Sequence, residues 1–260
     1  MKIKEKFISS NMLNTRLMGR LPPSQSRLMS TLINKLSVSV NELPMREAIR
    51  YKEKNMKFTA TQLLDHVTSH AAGLLEWGVA PGDTIGLWLP DKVEKHVSLL
   101  SCAMIGCKVA DIDSSITSVS EVRQALGLAP MKVLVFDPVS ADIDKLKLLR
   151  KSIPEFFWYS DEYGKDFHSK HFPSLQLFIH TGFDIENGAL NYEDCFLRNN
   201  HRLVHSVMKD LKDDTPFYSH ITKDKNGKVV ASPLLSHGKA LEANALAYAK
   251  KILNKEYIEH

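Results

Sequence analysis

The stretch Gly78-Val79-Ala80-Pro81-Gly82-Asp83-Thr84-Ile85-Gly86-Leu87-Trp88-Leu89-Pro90-Asp91 decides the fold. Gly78 stands where a helix wants a left-handed C-terminal cap, and Pro81-Gly82-Asp83 has the composition of a turn. Thr84 to Leu89 is then a short, nearly all-apolar run closed by Pro90. A strand without a polar face is buried on both sides, which is the habit of parallel sheets. Upstream, residues 61–77 place Leu63, Leu64, Val67, Ala71, Leu74 and Leu75 at three- and four-residue spacing, so the spacing predicts a helix ending at the glycine.

Working downstream, the pattern predicts a helix over 91–105 ending at Gly106 and a strand over 108–112. A capping box at Ser118 and Glu121 opens a helix to about Leu128, and a strand follows over 132–136. A helix near 143–152, strands at 156–160 and 175–180, and short helices at 192–197 and 201–211 continue the rhythm. Residues 217–221 and 229–235 flank a polar turn, and a closing helix is expected from Ser236 to about Tyr257. Short apolar strands joined by amphipathic helices imply right-handed crossovers. The expected class is α/β, with an open, mainly parallel sheet flanked by helices and residues 40–260 forming one unit.

Composition agrees with a folded chain: 260 residues, 43% hydrophobic and 25% charged, with no low-complexity tract. The net charge of +4 is concentrated in residues 1–35, where seven basic side chains (Lys2, Lys4, Lys6, Arg16, Arg20, Arg27 and Lys35) face Glu5 alone. Of 34 basic and 30 acidic groups, that leaves 27 and 29 for the body, so the pattern gives no support for a nucleic-acid partner. The leader is Arg-bearing, Ser-rich and acid-poor, the profile of a mitochondrial transit peptide, with Arg27-Leu28-Met29 before Ser30 resembling a cleavage site. A basic docking arm is the other reading. No apolar run reaches the ~20 residues needed to span a bilayer, so no transmembrane segment is expected, and any membrane association is expected to be peripheral.

Cys102, Cys107 and Cys195 are odd in number and suit a reducing compartment, as small buried apolar residues. The pairs His168/His171 and His201/His205 lack the Cys or Glu companions of a zinc site, so no metal is expected. There is no G-x-G-x-x-G after a strand, no Walker loop and no G-x-S-x-G elbow.

Four ordered segments carry a resemblance. Phe58-Thr59-Ala60-Thr61-Gln62-Leu63 looks like a strand followed by a Y-x-E-L helix, and Gly78 to Ile85 like G-V-x-P-G-D-x-V. Leu87-Trp88-Leu89-Pro90-Asp91 stands for an L-P-N, and Ala103 to Val109 for A-x-x-x-G-A-x-x. In that order and spacing the chain resembles the N-terminal part of the adenylate-forming superfamily, the acyl-CoA synthetases, luciferases and adenylation domains. The resemblance extends to the phosphate loop, T-S-G-T-T-G-x-P-K-G in catalytically competent relatives. Asp213 to Phe217 gives its lead and Ser236-His237 its following helix. Between them runs Thr222-Lys223-Asp224-Lys225-Asn226-Gly227-Lys228-Val229-Val230-Ala231, in which the small hydroxyl and glycine positions have become Lys223, Asp224, Lys225 and Asn226.

Triphosphate is held by backbone N–H groups that small residues allow to come close, and an aspartate there opposes a polyanion. No catalytic residue is therefore carried over. Thr222, Asp224, Gly227 and Lys228 are read as a remnant with no cofactor expected to bind. The resemblance covers well under half of a complete enzyme, whose adenine, ribose and lysine-bearing segments lie beyond the matched part. The resulting expectation is a non-catalytic pseudoenzyme, an accessory subunit among other protein subunits of a mitochondrial assembly such as a respiratory-chain or ATP synthase complex. The alternatives are an acyl- or anion-binding module without catalysis and the non-catalytic half of a split ligase.

Overall fold

The computed structural model describes residues 31–52, 55–140, 143–159, 167–198, 201–242, 246–247, 250–251 and 258–259. The leader up to residue 30, its cleavage-like site, and most of residues 243–257 in the expected closing helix lie outside the described residues. In chain order the elements are helix α1 (Thr31–Glu42), strands β1 (Glu47–Tyr51) and β2 (Met56–Thr59), α2 (Ala60–Glu76), β3 (Thr84–Trp88), α3 (Val93–Ile105) and β4 (Lys108–Ile112). There follow α4 (Val119–Leu128), β5 (Met131–Phe136), the short pair β6 (Val139–Ser140) and β7 (Ile143–Asp144), α5 (Lys145–Ser152) and α6 (Pro154–Trp158). The rest comprises β8 (Leu177–His180), β9 (Leu190–Asn191), a 3-10 turn (Tyr192–Cys195), α7 (His201–Met208), β10 (Pro216–Lys223), β11 (Val229–Ala231), β12 (Leu235–Ser236), α8 (His237–Glu242) and β13 (Ile258–Glu259).

The main sheet runs β11-β10-β4-β3-β5-β8-β9, parallel throughout except for the antiparallel edge β11, with β12 pairing antiparallel to β10. All five residues of β3 are buried, as its unbroken apolar run requires. Alternate side chains feed two cores. Ile85 and Leu87 pack with α1, α2, α3 and α7 residues, whereas Trp88 packs with α4, α5 and α6. Each such Leu or Ile withdrawn from water contributes ~1.5–3 kcal/mol. A smaller sheet runs β13-β1-β2, and the last five residues of the basic stretch, 31–35, lie in α1, which buries Leu32, Leu36 and Val40.

The caps sit where the residues placed them. Gly78 and Gly106 take φ of 83° and 73°, and both capping-box bonds of Ser118 and Glu121 form, as do those of Thr59 and Gln62. The three cysteines are buried and free. One expected strand is corrected. Residues 154–158 form helix α6, because Pro154 at the first helical position presets the turn and only Phe156 inserts, stacking on Phe178 with ring centroids 4.2 Å apart. The closing helix is described over His237–Glu242, and residues 258–259, just beyond its expected end, form a strand parallel to β1.

Candidate functional site

The chain leaves β3 toward β4 on one side and returns to β5 on the other, with α3 and α4 on opposite faces. That reversal makes the β3/β5 boundary a topological switch point, and ligands of open α/β sheets bind beyond the C-terminal strand ends near such a point. The side chains at that edge are charged, although the strands beneath are apolar.

At the ends of β4 and β10, Asp111 is 4% exposed. Its Oδ1 meets Lys95 Nζ of α3 at 2.8 Å, and Tyr218 Oη donates to its Oδ2 at 2.8 Å. His220 lies between two carboxylates, with Nδ1 3.6 Å from Asp111 and Nε2 3.7 Å from Asp113. Burial opposes ionisation of Asp111, but His220, Lys95 and Tyr218 together hold its carboxyl below the usual range. His220 is raised in turn, by Asp111 first and against its own burial. Sequence reasoning missed this cluster. The signal was Asp111 itself, one carboxylate inside the apolar strand Lys108–Ile112.

A second relay ties the small sheet to α3. Asp91 can only accept from His96 Nε2–H, at 2.6 Å, so His96 Nδ1 accepts the Tyr51 hydroxyl, also at 2.6 Å. The ring and hydroxyl are buried in a structural anchor rather than opened to a cavity.

The expected phosphate-loop remnant is a β-turn between β10 and β11. Thr222 lies in β10 opposite Val230, Asp224 opens the turn, Gly227 takes a φ of 77°, and Lys228 closes it. The turn is closed on itself. Asp224 Oδ1 accepts the backbone N–H of Asn226 at 2.8 Å and of Lys228 at 2.9 Å. Gly227 N–H donates to the Asp224 carbonyl at 3.0 Å. Lys223 turns away to Glu121 at 2.6 Å. Against a desolvation that raises it, Lys223 and the N–H groups of Thr117 and Ser118 hold the Glu121 carboxyl at about 2. A carboxylate thus occupies the amides to which a phosphate oxygen would bind, so these residues, as arranged, do not fit a polyphosphate. His237, next to Ser236, is buried against Phe217 at 4.7 Å, and burial pushes it down to about 4. His168, His171 and His205 are exposed, and no cluster able to hold a metal occurs among the described residues.

Comparison with known proteins places this geometry. The sequence profile of the family described as "AMP-binding enzyme" matches residues 36–166. The chain is 26% identical over 133 residues to the medium-chain acyl-CoA ligase ACSF2, mitochondrial, of Macaca fascicularis, an alignment covering 51% of this chain and 21% of that protein. The matched part thus spans about a fifth of the length of such curated relatives. Among solved structures it is similar to the acetoacetyl-CoA synthetase of Streptomyces lividans (TM-score 0.67, 17% identity, 88% of this chain and 38% of that one). It is likewise similar to the luciferase-like enzyme of the mealworm Zophobas morio (TM-score 0.67, 13% identity, 92% and 56%). The α/β fold is thus that of acyl-CoA ligases, over their amino-terminal part. The expectation of a non-catalytic pseudoenzyme is corrected by the same findings, because the matching family is one of enzymes and the curated relatives are named as ligases. A substituted turn and the point at which a sequence stops do not outweigh them.

Proposed function

We propose, since this chain belongs to the AMP-binding enzyme family, that it is the amino-terminal part of an enzyme that activates a medium-chain carboxylic acid for thioester formation. In the reaction the acid would attack the α-phosphorus of ATP and expel pyrophosphate, and a thiol would then displace AMP from the acyl carbonyl. The observation that carries this reading is the match of residues 36–166, reinforced by a parallel sheet whose C-terminal edge gathers Lys95, Asp111, His220 and Asp113. The medium length of the acyl group follows the names of the relatives.

The turn of Thr222, Asp224, Gly227 and Lys228 is assigned no phosphate contact while Asp224 holds its amides. Mitochondrial residence is part of the proposal, supported by the basic, Ser-rich leader and by the location in the relatives' names. No helix among the described residues is long and apolar enough to cross a membrane. A protein partner is a second element, favoured by the exposed Trp158, Phe183 and Ile185, at 80%, 100% and 76% exposure.

The test is mass spectrometry of the products formed by the native protein, isolated as it accumulates in cells, from octanoate, ATP and coenzyme A. Octanoyl thioester is expected. Its absence, with octanoate and longer and shorter acids alike, would remove the proposal.

A further inference from the structure

An asparagine followed by glycine readily loses its side-chain amide, because a residue without a Cβ leaves its backbone nitrogen free to reach the asparagine Cγ. The chain has two such pairs, Asn187-Gly188 and Asn226-Gly227. Both asparagines are exposed, so neither sequence nor accessibility chooses between them. Ring closure requires the peptide plane after the asparagine to turn, and the surroundings of that plane separate the two pairs.

At Gly188 the plane is fixed by packing. The residue is buried, and a Cβ there would fall 2.9 Å from Phe156 Cε2 and 3.3 Å from the Tyr159 carbonyl oxygen, so the space around it is filled. Phe156 belongs to the second core and stacks on Phe178, Ala189 N–H donates to the Glu186 carbonyl at 3.1 Å, and β9 follows at Leu190. At Gly227 a Cβ would meet nothing within 4 Å, and residues 225–228 are all exposed. There the plane is held by hydrogen bonds to Asp224. Gly227 N–H donates to its carbonyl at 3.0 Å and Asn226 N–H to its carboxylate at 2.8 Å. Surface bonds of this kind open locally and leave both cores intact.

We propose that Asn226 is a site of spontaneous deamidation, at which the Gly227 backbone nitrogen closes on the side-chain amide once the Asp224 turn opens. The nitrogen gives its proton to solvent base and bonds to Asn226 Cγ, and the side-chain amino group takes up a proton and departs as ammonia, leaving a cyclic imide. Water then opens the imide at either carbonyl. The net change is asparagine plus water to ammonia plus an aspartyl or isoaspartyl residue at position 226. Lys225 and Lys228 favour the anion that forms on the nitrogen, while Asp224 acts as the brake through its hydrogen bonds and its charge. Either product sets a new carboxylate between those lysines. The isoaspartyl form also adds a methylene to the main chain inside the turn that the Asp224 N–H to Lys228 carbonyl bond closes at 2.8 Å, and so disturbs the pairing of Lys223 with Val229. This site stands apart from the acid-activation reading and survives or fails without it.

The experiment is peptide mass spectrometry of the full chain, sampled over time in mildly alkaline buffer and digested under mildly acidic conditions. The peptide holding Asn226 should gain the mass of an amide-to-acid exchange and split into two chromatographic forms, with the isoaspartyl one in excess. The peptide holding Asn187 should keep its amide. Gly227→Ala should slow the conversion about tenfold, because the added methyl obstructs ring closure. Asp224→Ala, in a turn outside both cores, should speed it several-fold by removing the carboxylate brake. The chain unfolded in urea should convert both pairs, since packing no longer holds Gly188. Retention of the Asn226 amide in the folded chain over the time in which the unfolded chain loses it would overturn the proposal, as would conversion of Asn187 at an equal rate or an unchanged rate in either variant.

Discussion

The backbone of Asp224 and Lys228 is doubly linked: Asp224 N–H donates to the Lys228 carbonyl at 2.8 Å, and the Asp224 carboxylate accepts Lys228 N–H at 2.9 Å. The second bond is made by a side chain that a glycine or serine at the same place could not extend so far. An internal anion therefore sits where an external one would be received.

Replacing Asp224 with glycine should release the amides of Asn226 and Lys228. Loss of two bonds to an ionised acceptor at a partly solvated turn should cost ~1–2 kcal/mol of stability. Affinity for pyrophosphate should rise, since the turn keeps Lys225 and Lys228. Urea denaturation and pyrophosphate titration of D224G read both effects, and a variant with unchanged pyrophosphate affinity would show that the amides are not an anion site at all.

Two buried histidines should make the protein acid-sensitive. Burial among the rings of Tyr192 and Phe196 pushes His70 down to about 3, and burial pushes His237 down to about 4. Both are neutral in the native state, while the unfolded chain takes up protons near 6.5. Stability is thus complete above pH ~6.5 and is lost progressively as pH falls toward 4. His237 alone accounts for roughly 3 kcal/mol across that window. Melting temperature measured against pH should fall through this range, and His237→Phe should flatten the fall.

Gly73 and Gly78 are both glycines of the α2 region, but they should respond differently to alanine. A Cβ at Gly73 would lie 1.7 Å from the Cys195 carbonyl oxygen, so α2 or the 3-10 turn must move, and Gly73→Ala should cost more than ~3 kcal/mol. Gly78 meets nothing within 4 Å and asks only for its φ of 83°, so Gly78→Ala should cost about 1 kcal/mol. Chemical denaturation of the two variants separates a packing requirement from a conformational one.

The contrast between those glycines marks how far the sequence could be read. Gly78 announces its role through its neighbours, because a cap, a turn and an apolar run are local features. The parallel sheet and the turn after β10 follow from such signals, whereas the switch point rests on the strand order, which is not local. Gly73 answers to Cys195, more than a hundred residues away, and nothing local predicts it. The same holds for the site: Asp111 was visible as a charge in an apolar strand, but its partners Lys95, Tyr218 and His220 come from other elements. The strand expected at 156–160 fails for a related reason, since aromatic composition spoke for a strand while Pro154 and the inward Phe156 set a helical turn.

Acid-dependent exchange of labelled pyrophosphate into ATP requires only the first half-reaction and so bears most directly on membership of a working ligase. The native protein, supplied with octanoate, magnesium and ATP, should incorporate label at a rate that vanishes when octanoate is omitted. A natively folded sample that incorporates no label with any carboxylic acid would contradict the account.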